Sequence, residues 1–141
     1  MNAKKGISDY PLAETQPGNV IGPRGKALSE MTLDAVMAGH VTMEDLRITP
    51  HALLAQAEIA RAANRPTLAE NFNRAAELVS VPQDVIMATY ELLRPGRAKS
   101  QTELLVAART LRDTYHAPAM AEFVEEAAEA YQRRGLFAHR F

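Results

Sequence analysis

The chain has 141 residues, 47% of them apolar and 23% charged, with a formal net charge of −1. That length fits one globular domain, and 16 basic against 17 acidic residues leave no chain-wide polybasic surface for nucleic acid or anionic lipid. Without cysteine, disulfide frameworks, thiolate metal sites and cysteine nucleophiles are excluded. No apolar run approaches the ~20 residues of a membrane span and residues 1–10 lack a signal peptide's apolar stretch, so a soluble, cytoplasmic protein is expected.

The first part of the chain is set apart by its breakers. Between Ser8 and Ser29 lie Pro11, Pro17, Pro23, Gly18, Gly22 and Gly25. Proline and glycine at that density interrupt both helical and strand periodicity. Residues 1–31 therefore read as an extended arm, and residues 32–141 as a helical domain. Tyr10, Leu12, Val20 and Ile21 are too apolar to leave wet, so the arm is expected to pack on a partner subunit through them.

From Thr32 onward the pattern is helical. Thr32 caps a short helix that stops at Gly39, and Thr42 a turn through Leu46. Thr49 followed by Pro50 starts the first long helix, since proline's missing N–H is harmless in the first turn. It runs to about Asn64. Pro66 opens a second helix through about Val79, and Pro82 a third ending near Arg94. Ser100 with Glu103 makes a capping box for a fourth, to about Tyr115, and a fifth runs from Pro118 to Gly135. Apolar spacing supports these limits: Leu104, Ala108, Leu111 and Tyr115 fall at i, i+4, i+7 and i+11, while Leu68, Phe72, Ala75, Ala76 and Val79 line the second helix. Met120, Phe123, Val124, Ala127, Ala128 and Tyr131 mark the last. The fold class is all-α, with five main helices, short N-terminal helices and the arm.

Chemistry is hard to place on this framework. Histidines at 40, 51, 116 and 139 include no H-x-x-x-H pair, and Asp113 with His116 is a single loose i, i+3 match where a di-iron bundle needs two E-x-x-H helices and two more carboxylates. Glu122, Glu125, Glu126 and Glu129 share one side of the last helix, as a solvated face does, whereas acid–base work needs two carboxylates in a desolvated cleft. The glycine-rich run from Gly18 to Lys26 continues into Ala27, where a P-loop needs Ser or Thr, and no apolar strand precedes it. A helix-turn-helix over residues 68–93 would aim Asp84 and Glu91 at phosphates. No catalytic, cofactor-binding or metal-ligating residue is assigned. Arg47 between Leu46 and Ile48, Arg74 near Phe72 and Arg94 at a helix end instead suit bidentate anchoring at a protein interface. Tyr90, within the broad apolar face of the third long helix, joins them.

A collinear series of short stretches then carries a resemblance. They are Asp9-Tyr10-Pro11-Leu12-Ala13, Gly25-Lys26, Asp45-Leu46-Arg47-Ile48-Thr49, Gln56-Ala57-Glu58-Ile59-Ala60, Asn71-Phe72 with Arg74-Ala75-Ala76-Glu77-Leu78, Ile86 with Tyr90, Leu92-Leu93-Arg94-Pro95 and Glu103-Leu104-Leu105. Ala121, Phe123, Glu126, Ala128-Glu129 and Tyr131 close the series. Over residues 9–135 the chain resembles the small (gamma) subunit of the adenosylcobalamin-dependent diol and glycerol dehydratases, departing at Gly96 and in a short N-terminus. The resemblance implies a helical piece bound to the outside of a large (alpha) subunit, a β/α barrel that holds substrate, metal and the radical chemistry. It implies adenosylcobalamin between the large and medium (beta) subunits, none on this chain, and a dimer of heterotrimers. The reaction implied converts 1,2-propanediol, glycerol or ethanediol to an aldehyde and water. Such enzymes are cytoplasmic, and some relatives carry an N-terminal helix that addresses a microcompartment. Residues 1–8, with Lys4, Lys5 and Gly6, are too short and polar for that helix. The rival reading is a free-standing helical adaptor or regulator.

Overall fold

Proline and threonine placement decides where the long helices begin. The computed structural model describes residues 3–137. It contains α1 (Leu12–Thr15), α2 (Leu33–Met37), α3 (Pro50–Ala62), α4 (Pro66–Leu78), α5 (Gln83–Leu93), α6 (Gln101–Asp113) and α7 (Pro118–Arg134). Single 3₁₀ turns occupy Ile7–Asp9, Pro17–Asn19 and Leu28–Glu30. No strand forms among the described residues; Ile21 and Ala27 make an isolated bridge. The fold is all-α, with the five long helices at the expected places.

The helix ends follow local chemistry. The Thr32 hydroxyl accepts from Ala35 N–H and the Thr49 hydroxyl from Ala52 N–H, each at 3.1 Å. At α6 the Ser100 hydroxyl accepts from Glu103 N–H, but the Glu103 carboxylate reaches one residue further back than a capping box requires, to Lys99 N–H at 2.7 Å. Asn64, His116 and Gly135 end α3, α6 and α7 with φ of 59°, 53° and 65°. His116 thus sits at a left-handed helix terminus, where it lets Ala117 N–H reach back to Leu111 C=O at 2.9 Å.

The chain divides into two units, Met1–Val79 and Ser80–Phe141. In the first, α3 packs along α4, with Ala57, Ala60 and Ala69 buried between them and Phe72 against their edge. Ala69, absent from the expected stripe, is fully buried, whereas Leu68 and Val79 are exposed. Small side chains let the two backbones approach closely, and that close approach displaces the larger residues to the flanks. In the second unit α6 packs along α7 and touches α5. Leu104, Ala108 and Leu111 of α6 are buried as the spacing requires. On α7 the buried line is Ala121, Val124 and Ala128, preceded by Ala117, while Phe123 is exposed. The expected stripe was too wide, for the same reason.

The arm is not a single extended strand. Breakers stop long helices but permit isolated turns, and the three 3₁₀ turns and α1 fill most of residues 7–30. None of its described residues is buried.

Candidate subunit interface

The segment before residue 32 is tied to the rest of its unit at several points. Lys5 N–H donates to the Glu58 carboxylate on α3 at 2.9 Å. Further on, Gly22 N–H donates to Lys26 C=O at 2.9 Å, and Leu28 N–H to Val20 C=O at 3.1 Å. This tight loop lies against the 42–46 turn. A Cβ on Gly22 would come within 2.7 Å of Asp45 C=O, closer than real contacts allow. The Arg24 guanidinium reaches the Asp45 carboxylate at 3.1 Å, and the same oxygen accepts from Thr42 N–H at 2.9 Å. Gly22→Ala is therefore expected to loosen the loop, seen as faster amide exchange over residues 20–28 with α6 and α7 unaffected. Unchanged exchange there would contradict the close approach.

Between this segment and the start of α3 lies a groove of about 490 Å³, lined by Lys5, Leu12, Val20, Ile21, His51 and Ala52 among others. Of the arm candidates, Leu12 and Val20 are half-buried in its wall. Tyr10 and Ile21 remain 61% and 51% exposed. Arg47 is paired with Glu44 at 3.2 Å on an exposed surface, and Arg74 donates to Asn71 one turn back. In the second unit Tyr90 is 57% exposed and Arg94 pairs with Glu91 at 3.2 Å. Arg47 and Arg94 are thus each engaged by a glutamate three residues away. Exposed pairs of this kind are worth about 0–1 kcal/mol, so either partner can be exchanged at little cost.

One exposed apolar face lies outside the residues that the sequence singled out. Leu33, Val36 and Met37 fall within one arc of α2, opposite Ala35. Leu33 and Met37 are 75% and 80% exposed, whereas Ala35 is half-buried. The helix turns its small residue inward and its large ones outward. Met43, Leu46 and Ile48 continue this exposure along the chain. The spacing of Leu33, Val36 and Met37 was legible in the sequence, but periodicity names an apolar face without saying which way it points.

One acidic side chain of α7 departs from the solvated face expected of it. Glu125 is half-buried and takes a two-pronged contact from Arg112 of α6, one prong at 2.9 Å. That hydrogen bond, with the guanidinium's charge behind it, holds the Glu125 carboxyl below its ordinary value of 4.5 against an opposing effect of burial. A lowered folded-state pKa stabilises the fold above the unfolded value and ceases to do so as pH falls through the folded one. Wild-type chain is therefore expected to lose stability below pH 4.5 by more than Glu125→Gln does, as read from urea midpoints across pH 3–6. Parallel curves would contradict the pairing. The Tyr131 hydroxyl donates to Leu93 C=O at the end of α5, joining the two helices.

Among the described residues no three His, Asp or Glu side chains gather as a metal-binding group; His139 lies outside the described residues. The groove beside α3 presents one imidazole, His51. No helix among the described residues is long and apolar enough to cross a membrane.

Residues 6–138 match the protein family described as Dehydratase small subunit. The chain is 46% identical over 128 residues to the propanediol dehydratase small subunit of Citrobacter freundii, covering 91% of this chain and 74% of that protein. It is 47% identical over 128 residues to the propanediol dehydratase small subunit of Salmonella typhimurium strain LT2, covering 91% and 73%. Matched over residues 6–138 and 46–47% identical to two such subunits over 91% of its length, this chain belongs to the dehydratase small-subunit family.

Proposed function

We propose that this chain is the small subunit of an adenosylcobalamin-dependent diol dehydratase that converts 1,2-propanediol, glycerol or ethanediol to an aldehyde and water. A small subunit works beside larger ones. In this reading the large and medium subunits hold substrate and adenosylcobalamin in a dimer of heterotrimers, and this chain serves assembly and stability. It has the cytoplasm as its place, as an enzyme that can be packaged in a microcompartment. The similarity to two propanediol dehydratase small subunits supports the substrate class. The observation that carries the non-catalytic role is the outward apolar surface of Leu33, Met37 and Met43, each 75% or more exposed. Large apolar side chains left this exposed suit burial against a partner.

Purified alone, the chain is expected to be helical, to self-associate, and to leave propanediol unchanged when adenosylcobalamin is added. Co-expressed with its large and medium subunits, it should enter a complex in equal ratio and support turnover. Removing residues 1–26 should weaken that complex, with kcat per intact complex little changed. Tight cobalamin binding or diol turnover by the chain alone would overturn the division of labour.

A further inference from the structure

Helix α5 turns one line of side chains away from its unit. Val85, Ile86, Thr89, Leu92 and Leu93 are buried or half-buried, while Gln83, Met87, Tyr90 and Arg94, at i, i+4, i+7 and i+11, are all exposed. Two large apolar side chains on an outward stripe, closed by an arginine, have the composition of the centre of a protein interface.

The loop that follows adds charge. Arg94, Arg97 and Lys99 lie within six residues that contain no acid. Arg94 is held by Glu91. The nearest acid downstream, Glu103, gives its carboxylate to Lys99 N–H, and the Arg97 and Lys99 side chains make no ion pair among the described residues. The loop is nevertheless a fixed platform. Arg97 N–H closes a turn onto Arg94 C=O at 3.1 Å, Gly96 takes a φ of 81°, and Ala98 is anchored at 3% exposure. Cations held on an anchored turn lose little freedom on pairing, which favours a specific contact.

Resting on the proposed small-subunit function, we infer that the Met87–Tyr90–Arg94 stripe and the 94–99 loop together form a docking surface for an acid-rimmed apolar depression on a larger subunit of the dehydratase. Met87 and Tyr90 enter the depression, and Arg97 and Lys99 meet its carboxylates. Nucleic acid is disfavoured as occupant because two apolar side chains, Met87 and Tyr90, form the centre of the surface and only a short run of cations borders it. Another copy of this chain, meeting the loop with Glu122, Glu126 and Glu129 of its α7, is the competing occupant.

The test uses the co-expressed complex, captured through a tag on the large subunit. Arg97→Glu/Lys99→Glu is expected to weaken retention of the small subunit at least tenfold and to flatten its salt dependence. Arg97→Gln/Lys99→Gln should fall between this variant and wild type, since it removes attraction without adding repulsion. Met87→Glu should weaken retention at every salt concentration. All these positions are exposed, so helix content by circular dichroism should be unchanged. A photo-crosslinker at position 87 should capture a segment of a larger subunit that carries Asp or Glu. Retention unchanged in the charge-reversed variant, or loss only of self-association by the isolated chain, would overturn the inference while leaving the proposed function standing. Failure of the wild-type chain to enter any complex would instead remove that function, and the inference with it.

Discussion

Replacing Leu104 by alanine is expected to destabilise the protein by about 3–4 kcal/mol, near the upper part of the range for buried leucines. Leu104 is completely buried on α6. The helix packed along α6 buries Ala121, Val124 and Ala128, two of the three being alanines. Alanines cannot swing a side chain into the space left behind, and their backbones are held by continuous helix, so the cavity cannot collapse. Leu105, the next residue, is 39% exposed, and Leu105→Ala should cost less than about 1 kcal/mol because little apolar surface is removed from contact. The measurement is the urea midpoint of each variant at constant m. Equal losses at the two positions would show that the α6–α7 contact is loosely packed.

Removing the Arg24 side chain is expected to cost about 2 kcal/mol. Asp45 has no exposed side-chain surface, while Arg24 is half exposed. Breaking a fully buried pair costs about 3–5 kcal/mol, and water can take part of the arginine's place at its open end. One Asp45 oxygen would keep only Thr42, and the other has no hydrogen-bond partner even in the intact protein. The penalty is thus that of an uncompensated anion, which predicts a specific non-additivity: Arg24→Ala/Asp45→Asn should be more stable than Arg24→Ala alone. A double variant worse than either single one would mean that Arg24 acts through packing and not through charge.

The long helices were legible because their boundaries rest on local chemistry. Thr49–Pro50, Pro66, Ser100, Pro118 and Gly135 mark helix ends whatever the helices pack against, since each satisfies or removes a terminal backbone group within a few residues. The buried faces were legible only in part. On α6 the line Leu104, Ala108 and Leu111 has the spacing of a core face, and it is the line that is buried. On α7 both Phe123 and Val124 were available to the core, and only the close approach of α6 selects Val124 over the bulkier ring. The interface candidates show the same division. Tyr10, Ile21 and Tyr90 are exposed as a partner contact requires, whereas the ion pairs of Arg47 and Arg94 with glutamates three residues away are short-range geometry that residue type does not announce.

By itself, then, the sequence determined the helical class, the helix limits and the family, because caps, breakers and collinear short stretches are local properties of a chain. The tertiary structure alone decided which apolar surfaces are left outward. Leu33, Val36 and Met37 have the spacing of a core face, yet they face solvent because the smaller Ala35 is the residue turned inward on α2. It also decided that Gly22 and Asp45 form one junction: residues 23 positions apart meet only when the arm loop closes on the 42–46 turn, and a carboxylate becomes buried only once that closure has excluded water.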